Sequence, residues 1–158
     1  MKQNYLFPYR FKKIGWIITI PTLILGIYIL YTGIEPKIFD INVISIFDSQ
    51  SSSNYSLISS RKNNILNEIT MILLLLSLTL VAFSKEKNED ELIQKIRFES
   101  LIWATYINII VLIITILFIF DFSFFIVMEV NMFTTLIFFI IRFNIQTSLL
   151  KKSVTYEE

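Results

Sequence analysis

The chain has 158 residues, 54% of them hydrophobic and only 17% charged, with a formal net charge of +1, a balance far from that of a soluble domain of this length. It holds no cysteine and no histidine, which excludes disulfides, thiolate chemistry, the commonest metal ligand and the usual proton shuttle near neutral pH. A charge balance near zero gives no reason to expect nucleic acid as a partner, and no cofactor or metal site is expected.

The apolar residues are clustered in four runs, approximately 14–32, 65–83, 100–119 and 122–141, each near the ~20 residues a helix needs to cross ~30 Å of hydrocarbon. Runs such as "MILLLLSLTLVAF" and "INIIVLIITILFIF" do not alternate, as the ~10-residue strands of a membrane barrel would. The sequence therefore predicts an all-α membrane protein, a single integral domain over 1–158. Four transmembrane helices form an antiparallel bundle, and a small extracytoplasmic β-hairpin-like loop, 33–64, joins the first two.

Helix 1 (14–32) follows Lys2, Arg10, Lys12 and Lys13, the pattern of a signal peptide. The stretch after it, "ILYTGIEPK", offers no small-residue cleavage site, so the helix is expected to remain. Gly15, Thr19, Thr22 and Gly26 are spaced by four, three and four residues, which puts these small side chains on one face suited to close helix packing. Pro21 lies inside the same helix; it frees the carbonyl of Ile17 and should kink the chain unless neighbours or threonine hydroxyls repair the bonding.

In the outer loop, "KIFDINVISIF" places Phe39, Ile41, Val43 and Phe47 on one alternating face, followed by the turn-like "DSQSSSN" and a second short run, "YSLIS". Two strands alone are marginal in water, so this hairpin is read as a lid resting on the helix ends, or as an edge offered to another protein. Helix 2 (65–83) carries Glu68 at its outer start and Thr70 and Ser77 on one face.

The inner connection, "FSKEKNEDELIQKIRFESLIW", is the densest charge cluster in the chain. Asn88 with Glu91 three residues on has the pattern of a helix N-cap, so helix 3 is expected over 89–119, its first turns projecting into the cytoplasm. Glu91 with Lys95, and Lys95 with Glu99, are four apart and can pair along one side. With the apolar stripe Leu92, Ile93 and Ile96 they are read as a solvated extension of the helix, or as a surface that rests on headgroups or faces a partner.

Within the membrane, helix 3 presents Ala104, Asn108, Val111 and Thr115, and helix 4 (122–141) presents Asn131, Thr135 and Phe138, with Arg142 one turn on at the interface. Asn108 and Asn131 fall at similar depth and are expected to hydrogen-bond. A very short connection at Asp121 makes the two helices antiparallel neighbours. Glu129 lies two residues before Asn131, about 200° around the helix, so both cannot face one interior. It is read as a neutral hydrogen-bonded carboxyl in lipid, as a contact to a second subunit, or as part of a proton or cation path.

Lysines and arginines number four before helix 1, four between helices 2 and 3 and three after helix 4, against three in the longest loop. By the positive-inside rule both termini are cytoplasmic.

The run "LVAFSKEKNEDELIQKIRFESLIWATYIN", with "NILNEI" before it and "NMFTTLIFFIIRFN" after it, resembles a set of small four-helix bacterial inner-membrane proteins with no established activity. The resemblance implies an integral inner-membrane protein and transfers no site. Small four-helix multidrug exporters differ in carrying their essential acid in the first helix. The chemistry that remains points to a noncatalytic accessory or scaffold subunit, bound to the lipid bilayer and to another membrane protein or a copy of itself. The alternative is a small proton- or cation-coupled transporter or channel that uses Glu129.

Overall fold

The computed structural model describes residues 5–48 and 56–156, with side chains described over 5–44 and 60–152. The elements are α1 (Tyr9–Thr32), a 3-10 turn (Lys37–Phe39), β1 (Asp40–Asp48), β2 (Ser56–Asn64), α2 (Leu66–Ala82), α3 (Glu91–Phe118) and α4 (Phe122–Tyr156). Among the described residues, three helices are long and apolar enough to cross a membrane, Tyr9–Thr32, Glu91–Phe118 and Phe122–Lys152. α2 is apolar but shorter, with 17 residues. The chain forms two compact units, one of Ile18–Leu74 and one of Met1–Ile17 with Leu75–Glu158.

In the unit Ile18–Leu74, α1 continues past Pro21, and the Thr22 hydroxyl donates to the carbonyls of Ile18 (2.7 Å) and Thr19 (3.1 Å). The threonine thus supplies bonding one residue beyond the carbonyl that proline frees, a back-bond that bends helices. α1 ends at Gly33, whose φ of +61° is open to glycine and whose N–H donates to Ile29 O at 2.8 Å. A Cβ on Gly26 would lie 3.7 Å from the Thr70 methyl, an ordinary contact between α1 and the start of α2.

β1 and β2 pair antiparallel from Asp40 opposite Asn64 to Asp48 opposite Ser56. The second strand therefore runs on through "SSRKNN", beyond the short apolar run that marked it, because cross-strand hydrogen bonding does not require apolar side chains. Phe39 stands in the 3-10 turn rather than on the strand face, and Ile41 and Val43 sit opposite Asn63 and Arg61. The turn-like segment lies largely outside the described residues, as does the side chain of Phe47. Asn64 ties the hairpin base to α2. Its amide nitrogen donates to Pro36 O (2.7 Å) and Asp40 Oδ1 (2.8 Å), and its Oδ1 accepts from Leu66 N (3.2 Å).

In the other unit, α1 begins at Tyr9, five residues before the apolar run, directly after Pro8. Proline's fixed φ suits a helix start. Gly15 is buried against α2, where a Cβ would come within 2.7 Å of Val81 Cγ2 and 3.1 Å of Ser77 O. The α2 face here is Ser77, Leu78, Val81 and Ala82, all buried.

α3 starts at Glu91 and is capped by Asp90, whose Oδ1 accepts from Ile93 N at 2.7 Å. This corrects the cap expected at Asn88 and the start at 89. The Glu89 side chain is drawn into other bonds, so the helix begins after it. The start of α3 is also no free projection, since Ile93, Arg97 and Ser100 are buried. Ile119 and Phe120 lead into Asp121 with φ +58°, a left-handed conformation that aspartate tolerates, and α4 returns antiparallel to α3.

α4 runs 35 residues to Tyr156 instead of ending near 141. The charge at Arg142 lowers hydropathy without breaking the helix, because no glycine or proline follows and Phe143 and Thr147 are buried. The buried face of α4 is also centred differently, on Phe133, Phe139, Ile140, Phe143 and Thr147, while Thr135 and Phe138 are only half-buried.

Candidate functional site

The most strongly built polar site belongs to the unit that holds both chain ends, and its parts come from all four helices. Arg97 of α3 is 7% exposed. Its Nη2 donates to both carboxylate oxygens of Glu89, each at 3.1 Å, and its Nη1 to the carbonyls of Ala82 (3.1 Å) and Ser84 (3.2 Å) at the end of α2. A guanidinium suits this place because it offers a planar fork of donors and because the last carbonyls of a helix carry partial negative charge.

Glu89 Oε2 also accepts from the backbone N–H of Glu86 at 2.8 Å. The Glu86 carboxylate forms an ion pair with Lys12 of α1, and Lys12 also lies 3.5 Å from Asn144 Oδ1 of α4. Two cations and two carboxylates therefore neutralise one another in a largely buried setting, where an unpaired charge would be costly.

An aromatic column underlies them. Phe83 stacks on Phe139 and Phe139 on Phe143, both at 5.8 Å between centroids. The Arg97 guanidinium sits 4.6 Å from the Phe143 centroid, and Lys12 Nζ 5.7 Å from it, distances at which a cation is attracted to the ring face. Two backbone bonds, Phe7 N to Phe83 O (3.0 Å) and Lys85 N to Phe7 O (2.9 Å), bind the segment before α1 to the segment after α2.

The structure distributes the residues singled out from sequence over several places. Asn131 Nδ2 donates to Asn108 Oδ1 at 3.1 Å, so the two amides meet as their depth implied. Glu129 is half-buried and makes a polar or electrostatic contact. Glu91, Lys95 and Glu99 are exposed, with Lys95 3.9 Å from Glu99. Such a pair contributes little. Arg142 lies over the Trp103 ring at 4.8 Å. Gly15, Thr19 and Thr22 are buried and Gly26 half-buried.

Lys12, Glu86, Glu89 and Arg97 were missed as a site. They belong to a stretch whose charge density reads as solvated, and the pairs 12 with 86 and 89 with 97 cross element boundaries that spacing rules do not span. One signal was available: Phe139 and Phe143 are four apart on α4, a ring ledge on which a cation can rest.

Chemically, the cluster is a clamp. Both oxygens of Glu89 are engaged and the Ser84 hydroxyl, just beyond α2, donates back to Leu80 O in its last turn. Among the described residues no group of three or more acidic, cysteine or histidine side chains is placed to hold a metal ion. Comparison with protein-family models, with curated proteins and with solved structures gave no match.

Proposed function

We propose that this is a noncatalytic integral protein of the bacterial inner membrane, an accessory or scaffold subunit with four membrane-crossing helices in an antiparallel bundle and both termini in the cytoplasm. One observation carries the threading. Phe7, before α1, is hydrogen-bonded to Phe83 and Lys85, after α2. If α1 crosses the bilayer, residues 33–82 must bring the chain back to the side it left, and α2 is the element available to do so. Its 17 residues span roughly 25 Å at 1.5 Å per residue, the short end of what crosses ~30 Å of hydrocarbon.

The scaffold reading is supported by how the charges are used. Lys12, Glu86, Glu89 and Arg97 neutralise one another in the clamp, while Glu91, Lys95 and Glu99 remain exposed on α3 and suit engagement of a partner or a second copy. Reporter fusions at residue 50 and at the C-terminus test the threading, with periplasmic and cytoplasmic signals expected in turn. A periplasmic C-terminus overturns it. Purification in mild detergent with crosslinkers at Glu91 and Glu129 tests partnership, and recovery of monomers alone counts against the scaffold.

The second reading, proton- or cation-coupled transport, is favoured by the half-buried state of Glu129 within an apolar span. It requires that reconstituted protein carry a proton or cation flux and that Glu129→Gln abolish it with folding intact. Equal flux in the variant excludes it.

A further inference from the structure

Two arginines in the unit of the chain ends rest on aromatic rings, and only one is neutralised. Arg97 lies over Phe143 and is paired with Glu89 and two carbonyls. Arg142 lies over Trp103, yet among the described residues no carboxylate forms an ion pair with it; the Nε of both arginines is buried without a hydrogen-bond partner, so the difference between them lies in the ion pair. Glu99, one turn before Trp103 on α3, pairs with Lys95. The indole remains 37% exposed and Arg142 half-buried, so ring and guanidinium form a partly open, positively charged ledge.

The position of the ledge adds to its meaning. Arg142 is the first charged residue of α4 after Glu129, thirteen positions or roughly 20 Å along the helix, and it closes the apolar run that ends at Ile141. It therefore stands where α4 leaves the hydrocarbon, the level at which indole rings gather and at which lipid phosphates lie. A guanidinium held flat by stacking presents its remaining N–H groups as a fork that fits two phosphate oxygens, and it is weakly hydrated, so little is lost on binding.

We propose that Trp103 and Arg142 form a binding site for the phosphate of an anionic phospholipid headgroup, the lipid supplying an anion that the described residues do not. The inference rests on the reading of α4 as a membrane-crossing helix. Stacking on Trp103 sets the guanidinium plane, and the phosphate accepts from the Nη atoms. The acyl chains lie along the apolar flank of α3 and α4, where Ile102 and Ile141 are exposed.

The test is native mass spectrometry of the full chain released from nanodiscs of phosphatidylglycerol with phosphatidylcholine. The wild type should retain one phosphatidylglycerol. Arg142→Gln should weaken retention about fivefold, the effect of removing one basic group from an anionic lipid surface. Arg142→Lys, which keeps charge but loses the planar fork, should fall between them. Neither diacylglycerol, which lacks the phosphate, nor millimolar inorganic phosphate should compete.

Unchanged retention in Arg142→Gln overturns the proposal, and competition by inorganic phosphate moves the site from lipid to free phosphate and overturns it as stated. Should Arg142→Gln not fold, the wild type in a Trp16→Phe background decides. Quenching of Trp103 by headgroup-proximal brominated phosphatidylglycerol supports the site, and equal quenching by brominated phosphatidylcholine overturns it. Release of the chain from vesicles by carbonate would instead fail the membrane reading itself.

Discussion

The guanidinium of Arg97 lies 4.6 Å from the ring of Phe143 while its Nη2 grips Glu89 at 3.1 Å, so one side chain joins α3, α4 and the linker before α3. Truncating it leaves a carboxylate only 14% exposed without its partner. Arg97→Met should cost about 3 to 5 kcal/mol, the penalty for breaking a buried pair from one side. A large fall in the thermal midpoint in detergent is expected. Adding Glu89→Gln should recover part of it, because the orphaned charge is then gone.

Gly15 and Gly26 look equivalent in sequence and are not equivalent in packing. A methyl at position 15 meets Val81 Cγ2 at 2.7 Å and the backbone of α2 at 3.1 Å, whereas at position 26 it meets only a methyl at 3.7 Å. Gly15→Ala should destabilise by about 1 to 3 kcal/mol through overpacking. Gly26→Ala should be neutral or slightly stabilising, since alanine favours the helix. Paired thermal melts of the two variants check the difference.

The amides of Asn108 and Asn131 should contribute modestly. A double-mutant cycle with Asn108→Leu and Asn131→Leu should give a coupling of about 0.6 to 2 kcal/mol. A coupling near zero would mean that the 3.1 Å bond orients nothing.

The cap of α3 makes a sharp comparison between neighbours. Asp90→Ala should cost about 1 kcal/mol, the usual loss of an N-cap side chain, and should weaken protection of the Ile93 amide in hydrogen exchange. Asn88→Ala should leave both unchanged, because the bond to Ile93 comes from Asp90.

The parts of this fold that were legible in sequence are those that lipid dictates. Long apolar runs marked α1, α3 and α4 because an unpaired backbone in hydrocarbon leaves few alternatives to helix. Asn108 and Asn131 could be matched because a three-residue connection fixes the antiparallel offset of α3 and α4. Arg97, Glu89, Glu86 and Lys12 were not legible as a unit, since charge next to a membrane ordinarily means solvent, and only tertiary packing shows four of them turned inward. The end of α4 was misplaced for a related reason: hydropathy drops at Arg142, but hydropathy reports the solvent and not the hydrogen-bond ladder, which nothing after Arg142 interrupts.

That unbroken ladder has a mechanical meaning. α4 carries 35 residues without glycine or proline, about 52 Å of stiff rod at 1.5 Å per residue. A displacement imposed on it at Phe122 is therefore carried along one continuous helix to Lys152, with no glycine or proline at which a kink would absorb it.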